Sequence, residues 1–237
     1  MPPQRSRKAV QSHALTNYHL ICIGVEHWTI DAGTMANHFV ELLKFARENV
    51  HVLNEGDGPT AQQILDKIAW MKTSGRVGPK DALVFYYSGH GFLHENAFMF
   101  GTQPNPLPGK SICKAIAHLG LKLVMFLIDA CNSEGFAVDQ MFSALTKDNG
   151  KIAILAASAV NQTAPGDSTF SHLFAEACRH ITDRKRKLKE NVEMCLHQTN
   201  VQFAMNELRE KKFTHAPNAV FNGVPFKFGP LDEVRFI

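Results

Sequence analysis

The sequence predicts an α/β fold in three layers, a mainly parallel central sheet with helices on both faces. Two observations carry that reading. Short apolar runs of strand length, among them Tyr18–Val25 (YHLICIGV), Ala82–Tyr87 (ALVFYY) and Leu121–Ile128 (LKLVMFLI), recur along the chain. Each is the kind of run a fully buried strand produces. Segments with apolar residues at helical spacing alternate with them, and a strand–helix–strand order closes most simply as a parallel sheet.

The elements follow in order. After the first strand, Met35, Phe39, Leu42 and Leu43 mark a helix from about Thr34 to Glu48. Val50–Leu53 is a second strand, closed by the turn-rich NEGDGP. Thr60 followed three residues later by Gln63 is a capping-box pattern, and Ile64, Leu65, Ile68 and Met71 give that helix its apolar face. The strands Ala82–Tyr87 and Leu121–Ile128 flank a hairpin arm around Ala97–Gly101, the loop TQPNPLPGK and a helix from about Ser111. Ile152–Ala156 is the next strand. Helices start at about Phe170 and span about Val192 to Lys211, and Ala219–Phe228 closes the chain as one or two extended segments.

The 237 residues are long for one domain and short for two. One domain over 17–229 fits, with a basic N-terminal segment at 1–16 and a short tail at 230–237. Hydrophobic residues at 45% and charged residues at 20% are ordinary for a chain that buries a core, which excludes wholesale disorder. The formal charge of +3 concentrates in Arg5–Lys8 and in the run DRKRKLKE at 183–190. Neither run carries interleaved aromatics or a groove-reading motif, so both read as solvated charge and no nucleic-acid partner is expected. The five cysteines, at 22, 113, 131, 178 and 195, form no CxxC pair. That pattern points to reduced thiols rather than a disulfide framework or a zinc site. The first residues lack the apolar core of a signal peptide, and no run approaches the ~20 apolar residues of a membrane helix. A cytoplasmic protein with no membrane partner is expected.

The chemistry sits at two strand ends. Ala82–Tyr87 runs into Ser88-Gly89-His90-Gly91, and Leu121–Ile128 runs into Asp129-Ala130-Cys131. Ligands of open parallel sheets bind beyond the carboxyl ends of the strands, so adjacent strands would bring the imidazole of His90 and the thiol of Cys131 to one edge. A cysteine with a pKa near ~8.5 is mostly protonated at neutral pH, and an imidazole beside it raises the thiolate fraction and later protonates a leaving amine. The N–H groups of Gly91 and Cys131 are candidates for an oxyanion hole. Taken alone, a cysteine after a buried strand is usually a small core residue. The two motifs together, each at a strand end, favour catalysis.

At these residues the sequence resembles the caspase-like cysteine peptidases, in particular their metacaspase and paracaspase branches. Lys80–Gly91 (KDALVFYYSGHG) is similar to their strand-then-SGHG block and Leu123–Gly135 (LVMFLIDACNSEG) to their strand-then-DxC block. Weaker likeness continues through Ile152–Ser158, Phe170–Ala177 and Thr214–Gly223. The resemblance implies a caspase-like sandwich, a His90/Cys131 dyad, polypeptide substrates and an acyl-enzyme thioester. It also implies work in regulatory proteolysis, cell death or immune signalling.

The departures refine this. Caspases carry Gln before their Ala-Cys, whereas this chain has Asp129, followed after the cysteine by Asn132 and Ser133. An acid there would repel the aspartate side chain that caspases hold. In metacaspases and paracaspases the matching acid lines a pocket for Arg or Lys, and Ser88 matches a pocket-wall position. Asp31 falls where that family places a second pocket acid, and Asp167 about where paracaspases place a further one. For both, helix capping or a solvated loop is the rival reading. Metacaspases commonly need calcium, yet Phe92–Ile128 contains the single acid Glu95, so no metal site and no cofactor are expected. Two other functions remain open, a catalytically silent scaffold of this fold acting by protein binding and a legumain-like peptidase, a group that usually travels the secretory route. The segment Ala219–Phe228 resembles the closing strand through which caspases and paracaspases form homodimers. The rival is that Gly223 and Pro225 break it and leave a monomer.

Overall fold

A computed structural model describes residues 17–138, 151–158, 163–164, 169–187, 196–197, 205–207, 220–223 and 227–228. Six strands form the central sheet: β1 (Tyr18–Gly24), β2 (Val50–Leu53), β3 (Ala82–Ser88), β7 (Leu123–Asp129), β8 (Lys151–Ala156) and β10 (Val220–Gly223). Their spatial order is β10-β8-β7-β3-β1-β2, with every pairing parallel except β10 against β8. The chain leaves β1 in one direction for β2, then crosses to the opposite side of β1 for β3. That reversal makes the β1/β3 boundary a topological switch point, the place where open sheets of this kind bind their ligands. The expected α/β sandwich is present.

Strand period 2 divides the core. On one face Leu20, Cys22, Val84, Tyr86, Met125, Leu127, Ala153 and Leu155 pack on helix α1 (Thr29–Glu41) and helix α5 (Thr169–Lys187). On the other, Ile21, Ile23, Leu83, Phe85, Val124, Phe126, Ile152 and Ile154 pack on α2 (Ala61–Thr73) and α3 (Gly109–Ala117). All seven residues of β1, β3 and β7 are buried. Strands covered on both faces have no polar side to show, which is why they read as unbroken apolar runs. A three-stranded antiparallel sheet, β4 (Gly91–His94), β5 (Ala97–Phe100) and β6 (Leu107–Pro108), leaves the end of β3 and folds Phe98 and Phe100 onto the second core.

The capping box at α2 forms as its sequence pattern predicts. The Thr60 hydroxyl accepts from Gln63 N at 3.2 Å and the Gln63 side chain accepts from Thr60 N at 2.8 Å. Two expectations are corrected. The first helix runs over Thr29–Glu41, not 34–48; Lys44 turns left-handed at φ 60° and a separate 3₁₀ turn covers Arg47–Asn49. The shift places Asp31 in the first turn of α1, where an acid suits the helix dipole. Within the helix expected over 192–211, Leu196–His197 is instead a strand, β9, paired antiparallel with β11 (Lys227–Phe228). A ladder formed with a partner distant in sequence overrides the local helical pattern there. Residues 205–207 are helical, and the rest of that expected helix lies outside the described residues. Among the described residues no helix is long and apolar enough to cross a membrane.

At the far end of the sheet His19, on β1, lies 3.6 Å from Asp81, and His51, on the edge strand β2, meets the ring of Trp70 edge-on at 5.4 Å. Burial first, then the charges of Lys67, His19 and Arg76, push His51 down to about 4 from an ordinary 6.5. His19 is lowered as well, burial outweighing the pull of Asp81. A histidine depressed in the folded state takes up its proton first in the unfolded chain. Its contribution to stability is therefore complete above about 6.5 and is lost as pH falls toward about 4. Thermal unfolding of His51→Gln should fall less steeply than wild type across that window; equal slopes would contradict the assignment.

Candidate active site

Strand register builds the site. Gly24 pairs with Ser88, and Ser88 pairs with Asp129, so β1, β3 and β7 end level with one another. His90 and Cys131 then each stand two residues beyond the last paired position of their strands. The glycines around the histidine are required by space. A Cβ on Gly91 would lie 2.4 Å from the Cys131 carbonyl oxygen and 2.8 Å from the Ala130 Cβ, so only glycine lets the two strand ends touch. A Cβ on Gly89 would lie 2.6 Å from the Tyr87 hydroxyl, which reaches back to donate to the His90 carbonyl at 2.8 Å. Gly101 N donates to that same carbonyl at 2.8 Å, tying the histidine backbone to the small sheet.

The turn carrying Cys131 rests on a buried polar set. The Ser158 hydroxyl donates to the Ala130 carbonyl at 3.0 Å, and Ser133 exchanges hydrogen bonds with Ser158 through Ser158 N at 3.0 Å and the Ser158 carbonyl at 3.2 Å. Glu134 N donates to the Ser158 carbonyl at 3.0 Å as helix α4 (Glu134–Val138) begins. Asn132 adopts φ 56°, a left-handed conformation asparagine tolerates better than most residues. Its amide donates to the Gly91 carbonyl at 3.5 Å. Cys131 is half-buried, and its sulfur accepts from Ala164 N at 3.3 Å. The other described cysteines, Cys22, Cys113 and Cys178, are buried and form no disulfide, and burial pushes the thiols of Cys22 and Cys178 up. A raised thiol is a poor source of thiolate, which makes these two poor nucleophiles.

Next to this pair lies a buried acidic cluster. Ser88 and Asp129 are register neighbours on the α1/α5 face, and Asp31 approaches them from the first turn of α1. The Ser88 hydroxyl donates to Asp31 Oδ2 at 3.1 Å and lies 3.4 Å from Asp129 Oδ2. The Tyr86 hydroxyl donates to Asp129 Oδ2 at 3.4 Å. Ser88, Asp31 and Asp129 are 0%, 2% and 6% exposed. Burial raises the Tyr86 phenol well above its usual value, with Asp129 and Asp31 adding to it, so it serves as a donor.

Among the expected residues, then, His90, Gly91, Cys131, Ser88, Asp129 and Asp31 gather at the carboxyl ends of β3 and β7, while Asp167 lies outside the described residues. Sequence reasoning missed three contributors. Glu26 and Trp28 follow β1 and reach His90, with Glu26 Oε2 3.3 Å from Nε2 and the Trp28 ring 4.7 Å from the imidazole, edge-on. Both lie past the carboxyl end of a central strand, the same signal that exposed His90. Tyr86 is the third; it sits inside an apolar run, and nothing in the sequence separates its hydroxyl from an ordinary core tyrosine.

Cys131 and His90 thus stand at the carboxyl edge of a parallel sheet, with the buried acids Asp31 and Asp129 close by. In the family comparison, residues 24–228 match the caspase domain, so the chain belongs to the caspase-domain family and is a cysteine-type peptidase. No curated protein matches it in sequence.

Gly91→Ala should leave the folded sheet in place but drive the histidine strand away from Cys131. A shift near 1 Å costs about 100-fold in rate, which peptide hydrolysis by the purified variant would register. Wild-type turnover would contradict the close-approach requirement.

Proposed function

We propose that the protein is an endopeptidase that cuts after a basic residue, Arg in preference to Lys, through a His90/Cys131 dyad. The observation that carries this reading is the convergence of the Asp31 and Asp129 carboxylates on the Ser88 hydroxyl, buried at the strand ends that lead to His90 and Cys131. Two acids in one cluster favour a cation, and the planar guanidinium can engage carboxylates in a bidentate way that the point charge of lysine cannot. An aspartate side chain would meet repulsion there.

Chemistry follows from the parts. His90 accepts the Cys131 proton as the sulfur adds to the scissile carbonyl. The oxyanion forms beside the N–H groups of Gly91 and Cys131, whose backbones touch at that point. The C–N bond then breaks with proton transfer from the imidazolium to the leaving amine, leaving a thioester. Water, deprotonated by His90, attacks the thioester; the new carboxylate departs and the thiol is restored.

The acidic cluster and the DxC block support the paracaspase or metacaspase branch, and regulatory proteolysis in cell-death or immune signalling as the setting, with a cytoplasmic location. The acid-poor span after His90 supports activity without calcium. The edge position that β10 takes among the described residues supports homodimer formation through the C-terminal strand, since an open strand edge invites a second copy.

A fluorogenic peptide panel varying only the residue before the bond tests the reading. Arg should exceed Lys, and Asp should be refused. Asp129→Asn should lower kcat/KM for the Arg peptide by about 10- to 100-fold, the weight of one charge-assisted hydrogen bond. Cys131→Ala and His90→Ala should each abolish turnover, with the double variant little worse. Chelator should leave hydrolysis nearly unchanged. Equal cleavage after Asp and Arg, or a large reversible calcium requirement, would overturn the corresponding part.

A further inference from the structure

The imidazole of His90 is 57% exposed, yet it is not left to solvent. The turn after β1 holds it from two directions. Glu26 Oε2 lies 3.3 Å from Nε2, and the Trp28 ring meets the imidazole edge-on at 4.7 Å, 79° between planes. We propose that Glu26 is a positioning residue for His90, a third member of the catalytic arrangement that fixes the imidazole toward Cys131 by accepting from one ring nitrogen. This inference rests on the His90/Cys131 reading above.

Three observations separate Glu26 from a chance surface contact. Its backbone adopts φ 57°, the left-handed region where glycine is the default choice, so the chain accepts a conformational penalty to keep a side chain there. The backbone is also pinned, Glu26 N donating to the Asp57 carbonyl at 2.8 Å. Finally, the second carboxylate oxygen is engaged: Gln103 Nε2, from the loop between β5 and β6, donates to Oε1 at 3.3 Å. Glu26 is thus held by the loops after β1, after β2 and after β5, and presents its remaining oxygen to the histidine.

The chemical role is orientation. With one nitrogen held by an acceptor, the other is the one that exchanges the proton with Cys131 and the leaving amine. Glu26 itself moves no proton. A general base must be aimed as well as basic, and an imidazole on two free torsions would spend most of its time misdirected. A separate use of Glu26, as a further acid for the basic substrate, would act through charge and through binding rather than through turnover.

The test is steady-state kinetics of Glu26→Ala, Glu26→Asn and Glu26→Gln with the Arg peptide, alongside thermal unfolding and Cys131→Ala. Asparagine tolerates the left-handed backbone, so Glu26→Asn keeps the test valid if Glu26→Ala fails to fold. Ala and Asn should lower kcat by about 10- to 100-fold with KM unchanged within about two-fold. Glu26→Gln, which keeps an acceptor oxygen at the same reach, should recover to within a few-fold of wild type. Wild-type kcat in a folded Glu26→Asn, a loss confined to KM, or Glu26→Gln as impaired as Ala would each overturn the proposal. Residual turnover in Cys131→Ala would instead sink the nucleophile reading, which keeps the two failures distinct.

Discussion

The pairing of β3 with β7 is the constraint on which the site depends. Seven residues align from Ala82↔Leu123 to Ser88↔Asp129. Both strands are buried on both faces, and a slip of one residue would exchange every side chain between the two cores, so packing pins the register. Because the register is fixed at Ser88↔Asp129, the triplets Ser88-Gly89-His90 and Asp129-Ala130-Cys131 occupy equivalent places on neighbouring strands. The first residue of each belongs to the acidic cluster, and the third lies beyond the end of the sheet. Acidic cluster and thiol–imidazole pair are therefore two readouts of one ladder.

The strand ends could not meet without compensation. Glycine at 91 supplies room for the Cys131 carbonyl, and the buried Ser133–Ser158 set supplies hydrogen bonds to the backbone of the turn at Ala130 and Ser158, where water does not reach. Leaving such groups without partners costs about 1–3 kcal/mol each. The buried carboxylates of Asp31 and Asp129 are another tension in the fold, eased by the hydroxyls of Ser88 and Tyr86. A stability-optimised chain would place apolar groups there.

Much of this was legible in the sequence because it rests on local signals. The buried strands announce themselves as apolar runs, the helix α2 through Thr60 and Gln63, and the site through two motifs at strand ends. What escaped depends on tertiary context. The start of α1 moved from Thr34 to Thr29 because the helix begins in a polar turn without an N-cap signal: Trp28 occupies the cap position and makes no side-chain hydrogen bond there. Leu196–His197 reads as helix by composition and becomes a strand only through pairing with Lys227–Phe228. Glu26 carries no motif at all; its meaning comes from a crossing of three loops that no one-dimensional pattern records. Asp31 needed the fold in another way, since a capping acid and a pocket acid look alike in sequence and its contact with Ser88 exists only once α1 packs on the sheet.

The central claim is that one site combines a reactive thiol with an acidic cluster selecting a basic side chain. Reaction with a peptidyl electrophile ending in arginine, followed by mass mapping of the modified peptide, tests it most directly. The account predicts one adduct, on Cys131, formed much faster than with the matched probe ending in aspartate and slowed by Asp129→Asn. Modification of a different cysteine, or equal rates for the arginine and aspartate probes, would contradict it.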